Sequence, residues 1–373
     1  MKILFIGDYS NYHATLAHTL ARRGHHVTVC SNGNGWMQTA RSISLSRPLP
    51  GKAGGMLLWL KMKALSNRLS GYDVVQLCGP VFLDLRPHRI YPIFNRLKQR
   101  NGIICLTAMS TDSHYVAMCT ANDTPLRYSD FRIGSRPSPW AAASAHIERA
   151  WLGNELMDHT SRIYNGIDGA ISALYEYHLA LQRVLPAERI AYGGIPIDTA
   201  SMPLNTHAAD SPINIFLGRH RTRIIEKGTD ILESAAHQAV SQSNGCATLT
   251  IVENRPYAEY IHLLGQGDIL LDQLYSYTPA TNALLGMARG MTAVSGAEPE
   301  YYNFIGEHSS YPIVNAIPGH IEELTEHLLA LIKTGRNDAI ANANRQFVLR
   351  HNDADVVADR YEQFWNTLLI NTR

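Results

Sequence analysis

The span IFLGRHRTRIIEKGTDILESA, Ile215 to Ala235, carries four cations, Arg219, Arg221, Arg223 and Lys227, after an apolar run and before a helical pattern. A diphosphate calls for this combination: guanidinium forks for its oxygens, an ammonium as a point charge, and a helix start whose free amides add positive potential. Thr229 or Asp230 is the expected cap of that helix. The same residues also describe a solvated basic turn paired with Glu226 and Glu233. A second stretch, LLDQLYSYTPATNALLGMARG, Leu270 to Gly290, reads as a strand end followed by a helix. Thr278 is its expected cap, Pro279 its first residue, and Gly290 its stop. The amides after Pro279, with Thr281 and Asn282, can hold an anion or ribose hydroxyls, and the same pattern describes a helix merely packed on the sheet.

These segments need a frame. KILFIG, a helical ATLAHTLARRG closed by Gly24, and HHVTVCS form a strand, helix, strand unit. Further strands are predicted at 73–79, 102–108, 168–174 and 189–194, with helical segments at 139–160 and 175–185 between them. Residues 196–212 are rich in Pro, Ser, Thr, Asp and Ala and read as a linker. The alternation then restarts with strands at 213–218, 246–252, 268–274, 291–296 and 311–316, and the chain closes in amphipathic helices. Near-continuous apolar strands alternating with helices predict α/β architecture with doubly wound parallel sheets. In open sheets of this kind ligands bind at the carboxyl ends of the strands, so a cleft between the domains is the expected site.

With 373 residues, 45% of them hydrophobic, the chain can bury two cores. The net charge of +1 conceals an asymmetry: residues 1–200 hold 21 Lys/Arg against 13 Asp/Glu, and residues 201–373 hold 12 against 19. That predicts an anionic partner for the first half, or a solvated basic face. The five cysteines are scattered without a C-x-x-C pair, so neither a disulfide framework nor a zinc site is expected. Asp353-x-Asp355 precedes a helix and is read as a cap and a first-turn acid, so no metal is inferred. MKILFIGD is too brief for a signal peptide and no run approaches a membrane span, which predicts a cytoplasmic chain.

Taken in order, several segments resemble retaining glycosyltransferases of the GT-B fold, in the large group 1, family four class that contains bacterial lipopolysaccharide and capsule transferases. LAHTLARRGHHVTVCS resembles their first helix and second strand, and AYGGIPIDTASMP the turn that ends the first domain. FLGRHRTRIIEKGTDILESA resembles the donor-phosphate segment, DILLDQLYSYTPATNALLGMARGMTAVSG the nucleotide-sugar segment, and DADVVADRYEQFWNTLL the closing helix. The resemblance spans nearly the whole chain. It implies two Rossmann-like domains facing a central cleft, an acceptor-side domain over 1–203 and a nucleotide-sugar domain over 204–352, with 353–373 packing back toward the first. It also implies transfer, with retention, from a nucleotide-diphosphate sugar to a glycan or lipid-linked acceptor in polysaccharide or glycoconjugate synthesis, without metal or other cofactor. By position, Lys227 and an arginine, Arg223 before Arg221 and Arg219, would hold the diphosphate and stabilise the leaving group.

The departures from the family pattern are as informative. Counting back from Met287-Ala288-Arg289-Gly290, the family's paired glutamates fall on Tyr277 and Leu285. Tyr277 keeps a hydroxyl and Leu285 keeps nothing, so ribose contacts must come from Thr281, Asn282 or Glu298. The Gly-rich first loop is reduced to Gly7 in GDYSNYH, and no His directly follows GIICLTA; Asp112 and His114, just beyond, are the nearest polar candidates on the acceptor side, or simply surface-loop residues. The departing diphosphate can take the acceptor proton, so a strong base is not required. Residues 54–69, with Trp59, Lys61, Lys63 and Arg68, have the composition of a surface helix touching anionic lipid at the inner membrane face, and equally of a core-packed helix with snorkelling lysines. The alternatives are a nucleotide-sugar epimerase of similar architecture and a non-catalytic nucleotide-sugar-binding relative. A dehydrogenase is disfavoured by the missing G-x-G-x-x-G, and nucleic-acid binding by the lack of a reader module.

Overall fold

The computed structural model describes residues 1–33, 35–208, 211–308 and 310–371. Residues 209 and 210 of the predicted linker, and 372 and 373 of the predicted closing helix, lie outside the described residues. In chain order the strands are β1 (Lys2–Ile6), β2 (His26–Ser31), β3 (Ile43–Ser44), β4 (Val74–Leu77), β5 (Ile103–Ala108), β6 (Arg132–Ile133) and β7 (Arg136–Pro137). They continue as β8 (Gly169–Ser172), β9 (Ile190–Tyr192), β10 (Ile213–Arg219), β11 (Ala247–Glu253), β12 (Ile269–Leu271), β13 (Thr292–Ser295) and β14 (Val314–Asn315).

The chain forms two compact units. One comprises Met1–Ala121, His146–Pro196 and the residues from Ala354 on; the other comprises Asn122–Ala145 and Ile197–Asp353. Residues 122–145, which the sequence reading counts with the first domain, therefore pack with the second unit. Their attachment rests on contacts such as Arg127 to Tyr277, 150 residues apart, which no local pattern announces. The predicted helical segment 139–160 is divided into Pro139–Ala143, Ala145–Leu152 and Asn154–Gly166. Gly153 supplies the break, standing extended at the start of the third helix.

In the first unit a parallel sheet has the order β3-β2-β1-β4-β5-β8-β9, so the direction of winding reverses between β1 and β4. In the second the order is β11-β10-β12-β13-β14, with the reversal between β10 and β12. Both sheets are doubly wound, as the alternation of apolar strands and helices predicts. Every residue of β4 and β5 is buried, which is why these strands read as near-continuous apolar runs rather than alternating ones.

Two polar residues interrupt those runs, and the closing helix Ala354–Asn371 accounts for them. Gln76 on β4 donates to the Thr107 hydroxyl on β5 at 2.9 Å, and its carbonyl accepts the indole N–H of Trp365 at 2.9 Å. Thr107 also lies 3.0 Å from both His13 Nε2 and the Tyr361 hydroxyl, which in turn lies 3.0 Å from the Tyr12 hydroxyl. Buried polar groups are tolerated only when partnered, so the far end of the chain completes the core of the first unit. Trp365→Phe removes the donor to Gln76 and some volume; it is expected to lower stability by about 2–4 kcal/mol in urea denaturation.

Candidate functional site

The reversal point of the second sheet gathers the predicted phosphate-binding segment. After β10 the chain forms a turn, Arg221–Arg223, and a short helix, Ile224–Lys227. Gly228, at φ 66°, then turns it into the helix Thr229–Gln242. A side chain at 228 would meet Leu274 at 2.8 Å in a left-handed conformation, so glycine is required there. Neither Thr229 nor Asp230 caps the second helix, contrary to expectation. The preceding helix runs into it through Gly228 and leaves no extended residue to carry a cap. The Lys227 carbonyl accepts the Leu274 N–H at 2.8 Å, binding this segment to the loop after β12.

Lys227 projects its ammonium to 3.3 Å from Oδ1 of Asp272, a carboxylate with a fully buried side chain just past β12. The other carboxylate oxygen lies 3.4 Å from the Ser295 hydroxyl at the end of β13. The three arginines do not converge with it. Arg219 is enclosed by Glu233 and Glu253, Arg221 pairs with Glu253 at 2.8 Å, and Arg223 pairs with Glu226 through two nitrogens. The pairings with Glu226 and Glu233 are those of the solvated-turn reading. Arg221 and Arg223 have 72% and 52% of their side-chain surface exposed, against 15% for Arg219. The first two are thus open to exchange of partners and Arg219 is not.

The loop that follows β12 departs from its predicted form. Its helix begins at Thr281 with Ala280 in the capping position, not with Thr278 as cap and Pro279 first. The Ser276 hydroxyl bonds both to the Thr278 N–H at 3.2 Å and to its carbonyl at 2.5 Å, so residue 278 is held in a turn upstream of the helix. The helix does stop at left-handed Gly290. Thr281 and Asn282 lie in its first turn, and Asn282 Oδ1 accepts the Tyr260 hydroxyl. Leu285 is buried.

Tyr277 and Glu298 come together with a group that sequence reading did not nominate. Arg127 donates its backbone N–H to the Tyr277 hydroxyl at 2.6 Å, and its guanidinium lies 5.2 Å from that ring. The guanidinium pairs with Glu298 and Glu300, and the Tyr128 hydroxyl donates to Glu298. Glu298 is 3% exposed, and its N–H donates to the Tyr277 carbonyl at 3.1 Å. Burial pushes the Tyr277 phenol up to about 12, so it stays protonated near neutrality. Arg127 holds the Glu300 carboxyl below its ordinary range.

In the first unit the reversal point is occupied by the loop after β1. Gly7 (φ 83°), Ser10 (φ 53°) and Asn11 (φ 62°) are all left-handed. A Cβ at residue 7 would lie 2.0 Å from Cys78 Sγ. Asp8 is buried; one oxygen accepts the His13 N–H at 2.9 Å and the other makes no hydrogen bond. Burial raises its carboxyl to about 6, opposed by that His13 bond. Burial lowers the neighbouring His13 imidazole to about 4. Asp112, expected to face a ligand, is instead a buried helix cap: its oxygens accept the Tyr115 N–H at 2.9 Å and the Tyr164 hydroxyl at 2.7 Å. His114 packs edge-on against the Tyr164 ring at 5.0 Å, and burial lowers its pKa against the pull of Asp112. Asp353 accepts the Thr199 hydroxyl and Asp355 pairs with Arg22 and Arg23, so both carboxylates of the D-x-D are engaged in structural contacts. Only the position of Asp8, directly after an apolar strand, was available in sequence to mark it.

No protein-family model matches the sequence, and no curated protein does. Solved structures do match. Sucrose-phosphate synthase from Thermosynechococcus elongatus shares a TM-score of 0.64 at 13% identity over 100% of both chains. The apo lipopolysaccharide outer core galactosyltransferase WaaB gives 0.55 at 13% identity, again over 100% of both. Anabaena HepE, in complex with UDP and glucose, gives 0.58 at 13% identity over 98% of this chain and 100% of that one. At such identities the likeness is one of fold, and the fold is GT-B.

A carboxyl raised by folding stabilises the protein below its unfolded pKa and loses that contribution as pH climbs through the folded value. Asp8→Asn removes this penalty while keeping an acceptor for His13. Relative to the parent, its stability is therefore expected to rise between pH 4 and 6 and then level, by on the order of 3 kcal/mol, in denaturation series across pH.

Proposed function

We propose that the protein is a retaining glycosyltransferase, taking a sugar from a nucleotide-diphosphate donor held by the second unit to a glycan or lipid-linked acceptor held by the first, in bacterial polysaccharide or glycoconjugate synthesis. The observation that carries this reading is Lys227. It stands at the reversal point of a doubly wound sheet, where such folds bind ligands, with one of its three donors on a buried carboxylate and its side chain one-quarter exposed. A diphosphate arriving there meets a fixed positive charge, and that charge stabilises the leaving group as the glycosidic bond to the donor breaks. Arg223, then Arg221, exchange their surface carboxylates for phosphate oxygens, while Arg219 orients the end of β10. Thr281, Asn282, Tyr277 and Glu298 read the ribose and the sugar, with Thr278 shaping the loop. In the first unit the loop of Gly7 and Asp8, with His114, meets the acceptor, whose proton leaves on the departing diphosphate. No metal or other cofactor enters this scheme.

Lys227→Ala is expected to reduce donor turnover about 100- to 1,000-fold. It also leaves Asp272 buried without its counter-ion and so destabilises the second unit. The double variant K227A/D272N is expected to recover melting temperature but not turnover. Donor kinetics in that double variant equal to the parent's would remove Lys227 from the mechanism. The donor itself is found by thermal-shift screening of nucleotide diphosphates and nucleotide sugars. Binding without turnover on a broad acceptor panel identifies the non-catalytic reading, which the ion-paired arginines favour.

The acceptor side carries a further part of the proposal, peripheral contact with anionic membrane at the cytoplasmic face. No helix among the described residues is long and apolar enough to cross a membrane. The helix Gly51–Ala64 nonetheless exposes Met56, Leu57 and Leu60 at 41–49%, next to exposed Lys52, Lys61 and Lys63. Lys63 sits 3.6 Å from the centre of the Trp59 ring, at a cavity of about 440 Å3 also lined by His88, Arg89 and Arg96. Apolar side chains ringed by cations suit a surface of anionic lipid. In flotation with vesicles containing phosphatidylglycerol, the parent is expected to float and L57E/L60E to remain at the bottom. A parent that stays unbound sinks this part of the proposal.

A further inference from the structure

The excursion of residues 122–145 into the second unit has no counterpart among the motifs read from the sequence, and it is built rather than incidental. Its hairpin is closed by the Gly134 N–H on the Arg127 carbonyl at 2.8 Å, and the Ser129 hydroxyl accepts the N–H groups of Phe131 and Arg132, each at 3.1 Å. Phe131 is fully buried, with its ring 5.2 Å from Trp140. The helix Pro139–Ala143 packs on Ile224–Lys227, the segment that carries Lys227. The other end of the excursion delivers Arg127 and Tyr128 to Tyr277, Glu298 and Glu300, past the carboxyl ends of β12 and β13. One strap thus touches both the cationic segment and the loop where the predicted carboxylates are missing.

Resting on the donor reading above, we propose that this strap is the sugar-selecting wall of the site: Arg127 and Tyr128 fix Tyr277 and Glu298 in place, and the cluster's net negative charge selects an uncharged hexosyl group over a hexuronosyl one. One guanidinium stands against two carboxylates, Glu298 and Glu300. Arg127 is 56% exposed at its side chain and Glu300 39%, so both face any group bound there, whereas Glu298 is enclosed. A carboxylate on the donor sugar meets repulsion from the surplus charge. A neutral sugar meets guanidinium N–H donors and carboxylate acceptors suited to hydroxyls. Arg127 acts here as a specificity-determining residue and Tyr128 as a positioning residue.

Calorimetric titration tests this with UDP, UDP-glucose and UDP-glucuronate, and in parallel GDP, GDP-mannose and GDP-mannuronate. The parent is expected to bind the hexose conjugate about tenfold or more tighter than the hexuronate conjugate. Glu300→Gln, a surface change that leaves the fold alone, is expected to shrink that ratio to about threefold or less. Arg127→Ala is expected to weaken the hexose conjugate about tenfold while binding of the bare diphosphate stays within about twofold, with Arg127→Lys intermediate. Melting temperatures identify any unfolded variant, and Tyr128→Phe, which removes one hydroxyl, repeats the test where Arg127→Ala fails to fold. A hexose to hexuronate ratio that Glu300→Gln does not move, or Arg127→Ala binding every ligand as the parent does, overturns the strap's role. If the parent binds no diphosphate at all, the glycosyltransferase reading itself falls; diphosphate binding with an unmoved ratio overturns only this inference.

Discussion

The ion pair between Lys227 and Asp272 is the contact on which the carboxyl edge of the second unit's sheet depends. A carboxylate with no exposed side-chain surface is costly unless paired, and breaking such a pair costs far more than forming it returns. Asp272 lies at the end of β12, Ser295 at the end of β13, and Lys227 after β10, so three strand ends are tied at the place where the sheet's winding reverses. The Leu274 N–H on the Lys227 carbonyl adds a backbone tether. The lysine is therefore held in place by a side-chain pair and a backbone tether together.

Around that pair the electrostatics are more nearly neutral than the run of arginines suggests. Glu226, Glu233 and Glu253 answer Arg223, Arg219 and Arg221. Glu253 is held below its ordinary range by Arg221 and Arg219. Exposed pairs of this kind contribute little to stability and exchange readily, whereas a doubly paired, mostly enclosed arginine such as Arg219 does not. The segment thus separates into a fixed ammonium, a structural guanidinium and two exchangeable ones.

Glu298 and Glu300 stand beside Tyr277, and both are engaged by Arg127. That guanidinium comes from a segment 171 and 173 residues away in sequence. In the first unit a comparable long-range dependence appears in the core, where Trp365 and Tyr361 complete the polar partners of Gln76 and Thr107.

The sequence by itself determined the strands except β3, β6 and β7, which are two residues each and form no apolar run. Every predicted strand of both sheets is present, because an apolar run is a local property that neighbouring composition discloses. It also located Gly290, whose role as a helix stop follows from nearby chain geometry. Helix caps at 229 and 278 were misread because a preceding helix and the Ser276 turn altered the backbone there. What only the tertiary structure decided were pairings between residues far apart in sequence: Arg219 and Arg221 with Glu253, Asp112 with Tyr164, and the strap from 122 to 145 with Tyr277 and Glu298. Charge and burial at those positions depend on which distant partner the fold delivers, and side-chain type alone carries no record of that partner.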